Sequence, residues 1–286
     1  MEWEVKLVNS RGFSWISDCH SLTPVSSTKL MKNYKPLITS NDKAFTIYVC
    51  SSALSDFVRS LLYRINTPFI LICGDCDENF PQQCLSPIDF QNLKANEYLV
   101  HIFAQNCFVN DPKITRIPIG LDFHTIRQSI NPISQEKTLL GIVSNSKPFT
   151  QRIPLIYSNF HFALQYASRK EAYKGLDKSL VLYEPKRAER TDSWRKQAQY
   201  AFVASPRGNG EDCHRTWEAL ALGCIPIVKS SPLDPLYNEL PVLIVNNWCD
   251  VNCELLQKTM HEFSNKSFNP NKLNLSYWKN LIDSYR

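Results

Sequence analysis

Two groupings of residues in this chain have the types and spacing to do chemistry. The first is Arg215 and Glu218 within "SPRGNGEDCHRTWEALALGCIPIV", residues 205–228. Placed at i and i+3 on a helix, a guanidinium and a carboxylate project side by side. The planar fork of arginine donates two hydrogen bonds to phosphate oxygens, and a carboxylate accepts from the hydroxyls of a ribose. A nucleoside diphosphate satisfies both. Just upstream, "RGNG" spends two of the chain's eight glycines. Gly208 and Gly210 let backbone approach a ligand closely, and a helix expected to open near Glu211 offers unpaired N–H groups to an anion. Glu211 and Asp212 would match part of that helix dipole, so Arg207 and Arg215 must supply further positive charge. The same spacing also fits an ordinary capped helix with an internal ion pair worth about 0.3–0.5 kcal/mol. It is not a Walker loop, because no Gly-Lys-Ser/Thr follows, and it lacks the glycine spacing of a nicotinamide fingerprint.

The second grouping is Asp75-Cys76-Asp77 in "CGDCDENFP", residues 73–81. Asp75 follows Gly74 at the end of the apolar run "PFILICG". A carboxylate with a reference pKa near 3.9 is ionised at neutral pH. It can act as a general base on an attacking hydroxyl, help typically worth ~10²–10⁴-fold. Two other readings remain open. The triplet could hold a divalent cation against a diphosphate, or Asp75 could simply start a turn. Against the cation, the triplet lies far in sequence from Arg215, which with a helix N-terminus already supplies charge for a departing diphosphate. Asp77, Gln105 and Asn106 of "FAQN", and His124 after "GLDF" are candidates for binding acceptor hydroxyls. His214 is expected to order the loop beside Arg215, and His101 to lie in the core.

These residues need elements to hold them. "AFTIYVC" (44–50), "PFILICG" (68–74), "EYLVHIFAQN" (97–106) and "TRIPIGLD" (115–122) read as strands, and "SSALSDFVRSLLYRI" (51–65) as a helix. Continuous apolar runs of this kind suit a parallel sheet covered on both faces. "HTIRQSINPISQEK" (124–137) reads as a linker, after which "TLLGIVSN" (138–145) restarts the pattern as a strand. A helix at 190–199 and strands at 200–206, 224–229 and 241–247 follow. The expectation is an α/β chain of two Rossmann-like β/α/β lobes facing a cleft, since such sheets bind ligands beyond the carboxyl ends of their strands. The lobes are expected at 1–130, binding acceptor, and 131–265, binding nucleotide, with 266–286 returning to the first.

Composition narrows the classes further. With 286 residues, 43% hydrophobic and 12% aromatic, the chain can fill two cores. A net charge of +5, scattered along the chain, argues against nucleic acid as partner and suits one phosphorylated small molecule. No signal peptide is legible at the N-terminus and no run approaches the ~20 apolar residues of a membrane span, so a soluble, cytoplasmic protein is expected. The ten cysteines are irregularly spaced. Cys73, Cys76, Cys249 and Cys253 could be imagined as a zinc site, but reduced thiols acting as small hydrophobes are the better account.

The stretch "SPRGNGEDCHRTWEALALGCIPIVKSSPLDPLY" (205–237) closely resembles the donor-binding signature of exostosin-like glycosyltransferases. Weaker similarity runs through "PFILICGDCDENFP", "FAQN", "RIPIGLDFH" and "LPVLIVNNW". It is nearest to compact microbial and viral members and to xylosyl-transferring relatives. The resemblance implies a GT-B fold and an inverting, metal-independent transfer from a UDP-sugar, with xylose the favoured sugar and a glycan or glycoconjugate as acceptor. It also implies diphosphate on Arg215, ribose on Glu218, a turn at Gly208 and Gly210, and donor contacts from Ser205, Arg207, Ser230, Ser231 and Asp234. Arg152 is a further candidate phosphate contact. Rival readings are a non-catalytic UDP-sugar-binding or glycan-binding protein and a metal-dependent transferase using Asp75-Cys76-Asp77.

Overall fold

The computed structural model describes residues 5–20, 43–124 and 131–286. Residues 125–130 of the linker expected at 124–137 lie outside the described residues, and 132–137 of it are not linker but the first turns of a helix. The chain is α/β and divides into two compact units, each built on its own parallel sheet.

The first unit holds Lys6–Asp122, Gly210–Asp212 and Asn274–Arg286. It opens with helix α1 (Ser10–Trp15), then strand β1 (Phe45–Cys50), helix α2 (Leu54–Ser60), strand β2 (Phe69–Gly74), helix α3 (Pro87–Ala95) and strands β3 (Leu99–Ala104) and β4 (Ile114–Arg116). The four strands are hydrogen-bonded in chain order and all parallel. Every residue of β1 and β2 is buried, which is why their sequences are apolar without alternation. α3 is punctuated at its start by chemistry: Ser86 Oγ accepts the Asp89 N–H at 3.1 Å and Pro87 occupies the first turn. Asp89 then anchors α2 through a 2.7 Å ion pair with Arg59. His101, on β3, is buried core, bonded to Thr115 Oγ1 at 2.8 Å and packed on Tyr285.

The second unit holds Phe123–Asn209 and Cys213–Leu273. Its elements are helix α4 (Pro132–Ser144), strand β5 (Ile153–Ser158), helix α5 (Ala167–Gly175), strand β6 (Val181–Tyr183), helix α6 (Arg190–Gln197), strand β7 (Tyr200–Ala204), helix α7 (His214–Ala221), strands β8 (Ile225–Lys229) and β9 (Leu243–Val245), and helix α8 (Cys253–Ser264). Strand order is β6-β5-β7-β8-β9, all parallel. The chain runs outward from β5 to β6 and then returns to place β7 on β5's other side. The order therefore reverses at β5, and the carboxyl ends of the strands there are where open α/β sheets take ligands.

Two further expectations give way to the structure. "TLLGIVSN" is not a strand but the end of α4. Its buried stripe is Pro132, Gln135, Glu136 and Leu139, a helical period carried partly by polar residues, while Leu140 is exposed. Asn131 caps the helix by accepting the Ser134 N–H at 2.8 Å. The strand opening the second sheet is instead β5, whose sequence IPLIYS carries Pro154 and leaves its first two residues exposed. Finally, α7 begins at His214, not near Glu211, so no acid occupies its first turn.

Candidate functional site

At the carboxyl edge of the first sheet, β2 ends at Gly74 and the chain turns through Asp75 with φ at 54°. Gln105 fixes that turn: Oε1 accepts the Asp75 N–H at 2.7 Å, and Nε2 donates to the Pro118 carbonyl at 3.1 Å. A Cβ on Gly74 would stand 2.3 Å from the Gln105 amide carbon, so only glycine admits this approach. Asn106, with φ at 47°, repeats the device after β3. Its Nδ2 donates to the Cys76 carbonyl at 3.1 Å, and its Oδ1 accepts the Asp212 N–H at 2.9 Å. The Asp212 carboxylate in turn accepts the Ile119 N–H at 2.7 Å. A left-handed non-glycine residue costs on the order of 1–3 kcal/mol and persists where its surroundings over-determine it. Here two side-chain amides do so, and they leave a half-buried Asp75 beside an exposed Asp77.

This corrects the assignment of Gln105 and Asn106 to acceptor binding. Both are 1% exposed, and their amides are spent on backbone. Asp212 likewise holds a loop. Gly210 packs against the Asp77 backbone, where a Cβ would lie 3.2 Å away.

The second sheet's carboxyl edge is built differently. After β7, Ser205 is buried; its N–H donates to the Ile227 carbonyl, and its hydroxyl pairs with Thr216 Oγ1 at 2.8 Å. That pair pins the first turn of α7 to the strand end. Cys213 stands at the N-cap without a side-chain cap bond; its sulfur accepts the Gly208 N–H at 3.2 Å. Trp217, Ala219 and Leu220 face the core. Arg215 and Glu218 face a cavity of about 320 Å³, within the size range of small-molecule sites.

That cavity is walled by the ends of β5 and β6 and by α5, α6 and α7. Asn159, just past β5, accepts from Arg215 Nε at 3.1 Å. Arg169, Arg187 and Arg190 join Arg215 on the wall, against Glu184 and Glu218. Glu184 is buried and already matched by Lys196 at 2.9 Å, so positive charge predominates. Burial pushes the Arg215 guanidinium pKa down, and the like charge of Arg169 adds to that while Glu218 opposes it. A desolvated guanidinium beside a second, half-buried one is relieved by an anion between them. Phe162 and the buried Trp194 supply apolar wall.

The remaining sequence-derived candidates do not line the cavity themselves. Arg152 is corrected: it precedes β5, at the amino end of the strand, and donates to the Lys147 and Leu222 carbonyls at 2.6 and 2.9 Å and to Cys224 Sγ at 3.2 Å. It ties down the end of α7, opposite the carboxyl edge. Ser230 and Ser231 bond to Asp234 at 2.7 and 2.9 Å, closing the loop after β8 on itself. The Arg207 carbonyl accepts from Ser168 Oγ at 2.8 Å, and Gly208 lies against Arg169, 3.0 Å from where a Cβ would be. His124 packs against His214, ring centres 5.3 Å apart and the ring planes tilted at 58°. All ten cysteines are free, and burial raises Cys73 well above the usual thiol range. Among the described residues no helix is long and apolar enough to cross a membrane.

Sequence reasoning missed Arg169, Arg187, Arg190, Asn159 and Glu184. The legible signal was the basic cluster "EPKRAER" (184–190) directly after the apolar "LVLY".

No protein-family model matches the chain, and no curated protein does. Among solved structures it is similar to a UDP-forming α,α-trehalose-phosphate synthase from Burkholderia xenovorans. The match covers 90% of this chain and 75% of that one, with 13% identity and a TM-score of 0.42. A likeness at that level carries no argument about activity.

Proposed function

We propose that this chain is a glycosyltransferase of the GT-B kind, moving a sugar from a UDP-sugar to a hydroxyl of a glycan. The observation that carries the reading is the arginine-walled cavity at the reversal point of the second sheet, where Arg169 and Arg215 meet and Glu218 stands one turn deeper on α7. The diphosphate is assigned to Arg215 and Arg169, and the ribose hydroxyls to Glu218. Guanidinium charge fixed in a largely desolvated wall stabilises the departing diphosphate without needing a metal ion.

Asp75 is assigned the role of general base. It takes the acceptor hydroxyl's proton as the oxygen attacks the anomeric carbon and the carbon–oxygen bond to diphosphate breaks with inversion. The left-handed turn, held by Gln105 and Asn106, is the support for that role. Xylose as the sugar rests on the resemblance of residues 205–237 alone.

The test is a panel of UDP-sugars scored for slow hydrolysis to UDP and for thermal stabilisation, with UDP and free sugars as controls. Stabilisation by UDP and by one UDP-sugar, with hydrolysis of that sugar, is expected. A protein indifferent to every member of the panel would not be this enzyme.

A further inference from the structure

The arginine-walled cavity leaves one cluster of chemistry-bearing side chains unused. Asp122, His124 and His214 come together, and none of them lines that cavity. One carboxylate oxygen of Asp122 and one ring nitrogen of each histidine all lie within 4.8 Å of one another, on residues that are half-buried. Among the described residues no other trio of His, Cys, Asp or Glu meets that limit. His124 and His214 both belong to the second unit, and Asp122 stands two residues upstream of His124 on the same stretch of chain. His214 is the first residue of α7. The two imidazoles are 5.3 Å apart with their planes tilted at 58°. Rings stacked face to face aim their nitrogen lone pairs along parallel lines, whereas tilted rings let them converge on one point.

Two imidazoles and a carboxylate are a ligand set for a transition-metal ion. Mg²⁺ and Ca²⁺ take oxygen ligands, whereas Zn²⁺ accepts His nitrogen at about 2.0–2.1 Å and Asp oxygen at about 2.0–2.2 Å. Bonds of that length around a tetrahedron set neighbouring donor atoms about 3.3 Å apart. Atoms already within 4.8 Å reach that spacing by small side-chain rotations. We propose that Asp122, His124 and His214 bind one zinc-like divalent ion, with water in the fourth position. Consecutive residues of a helix project about 100° apart. His214 therefore holds the ion while Arg215, beside it, turns to the cavity. The ion clips the first residue of α7 to the segment 122–124 and braces the helix that carries Arg215 and Glu218, without entering the reaction. The proposal does not depend on the nucleotide reading of the cavity.

The test is calorimetry and thermal melting of the full chain, stripped with EDTA and titrated with Zn²⁺. One ion per chain is expected, raising the melting temperature by roughly 5 °C near saturation, and excess Mg²⁺ or Ca²⁺ should not displace it. Co²⁺ in its place should show the visible absorption of tetrahedral coordination. His124→Ala and His214→Ala are each expected to weaken Zn²⁺ by roughly 100-fold or more, since even an outer partner of a ligating histidine is worth about 10- to 100-fold. Melts without metal confirm that each variant is folded. Asp122→Asn keeps the shape with a poorer donor, and it decides if both histidine variants fail to fold. A wild type that binds no zinc overturns the site and leaves the trio as packing. Zinc held as tightly by the variants as by the wild type sits elsewhere, on exposed thiols such as Cys249 and Cys253, and overturns it equally. UDP titrated into the same samples keeps the two readings apart: zinc bound without UDP upholds this site and sinks the nucleotide cavity.

Discussion

The carboxyl edges of the two sheets use polar side chains in opposite ways. At the first, Gln105, Asn106 and Asp212 are buried and spent on backbone groups, and their effect is to hold Asp75 in a left-handed turn. At the second, arginines and buried donors face a cavity, several polar atoms unspent. One edge is a bracket presenting Asp75 with Asp77 beside it; the other is a receptacle. The difference teaches that residue type alone does not separate binding groups from structural ones. An asparagine at a strand end serves either purpose, and what decides is whether its hydrogen-bonding capacity is already consumed.

The comparison can be broken most sharply at Asp75. Asp75→Asn should slow sugar transfer by roughly 10²–10⁴-fold while UDP affinity stays put; full turnover would reduce the first edge to architecture. Acid is the next lever, since it acts on the first sheet. Burial lowers the His101 pKa to about 4, with Asp111 opposing, whereas an unfolded imidazole titrates near 6.5. The unfolded chain thus takes up the proton first. Stability from this site is complete above about pH 6.5 and falls as pH drops toward 4, by about 3 kcal/mol in all. Urea unfolding across that range should show it, and His101→Gln should flatten the curve.

Arg215 and Arg152 sharpen the contrast within the second unit. Arg215→Ala should weaken UDP by roughly 1.5–3 kcal/mol, a charged hydrogen bond lost, with little change in melting. Arg152→Ala should do the reverse, lowering the melting temperature without touching UDP affinity. Calorimetry that found UDP weakened equally by both would erase the distinction between the two ends of the sheet. The smallest effect is expected at Gly74. An added methyl must displace Gln105, an overpacking cost of about 1–3 kcal/mol, seen as lower stability and a slower enzyme.

Much of the fold was legible because buried parallel strands are apolar throughout: β1, β2, β3, β7 and β8 were read within a few residues of their ends. β5 and β6 were not, for physical reasons. β5 carries a proline and exposes its first half, and β6 has only three residues. Losing those two strands lost the residues after them, Asn159 and Glu184, and with them most of the cavity wall. α4 was mistaken for a strand because its buried stripe includes Gln135 and Glu136, leaving "LLGIV" as the visible apolar signal. Arg215 and Glu218 were legible because helical spacing alone puts them on one flank. Arg152, Ser205, Gln105 and Asn106 have side chains of the binding kind, and nothing in composition reveals that backbone carbonyls and a neighbouring hydroxyl already occupy them.

The proline of β5 has a consequence beyond misleading a reader of the sequence. β6 pairs only with Ile156–Ser158, so the opening half of β5 is bare along that rim. Rims with intact amide rows are templates on which a second copy can lay its own backbone and grow a ribbon. Pro154 has no amide hydrogen to offer, and a three-residue neighbour shields the remainder. A concentrated solution of this protein is thereby steered away from fibril growth at the margin of its second sheet.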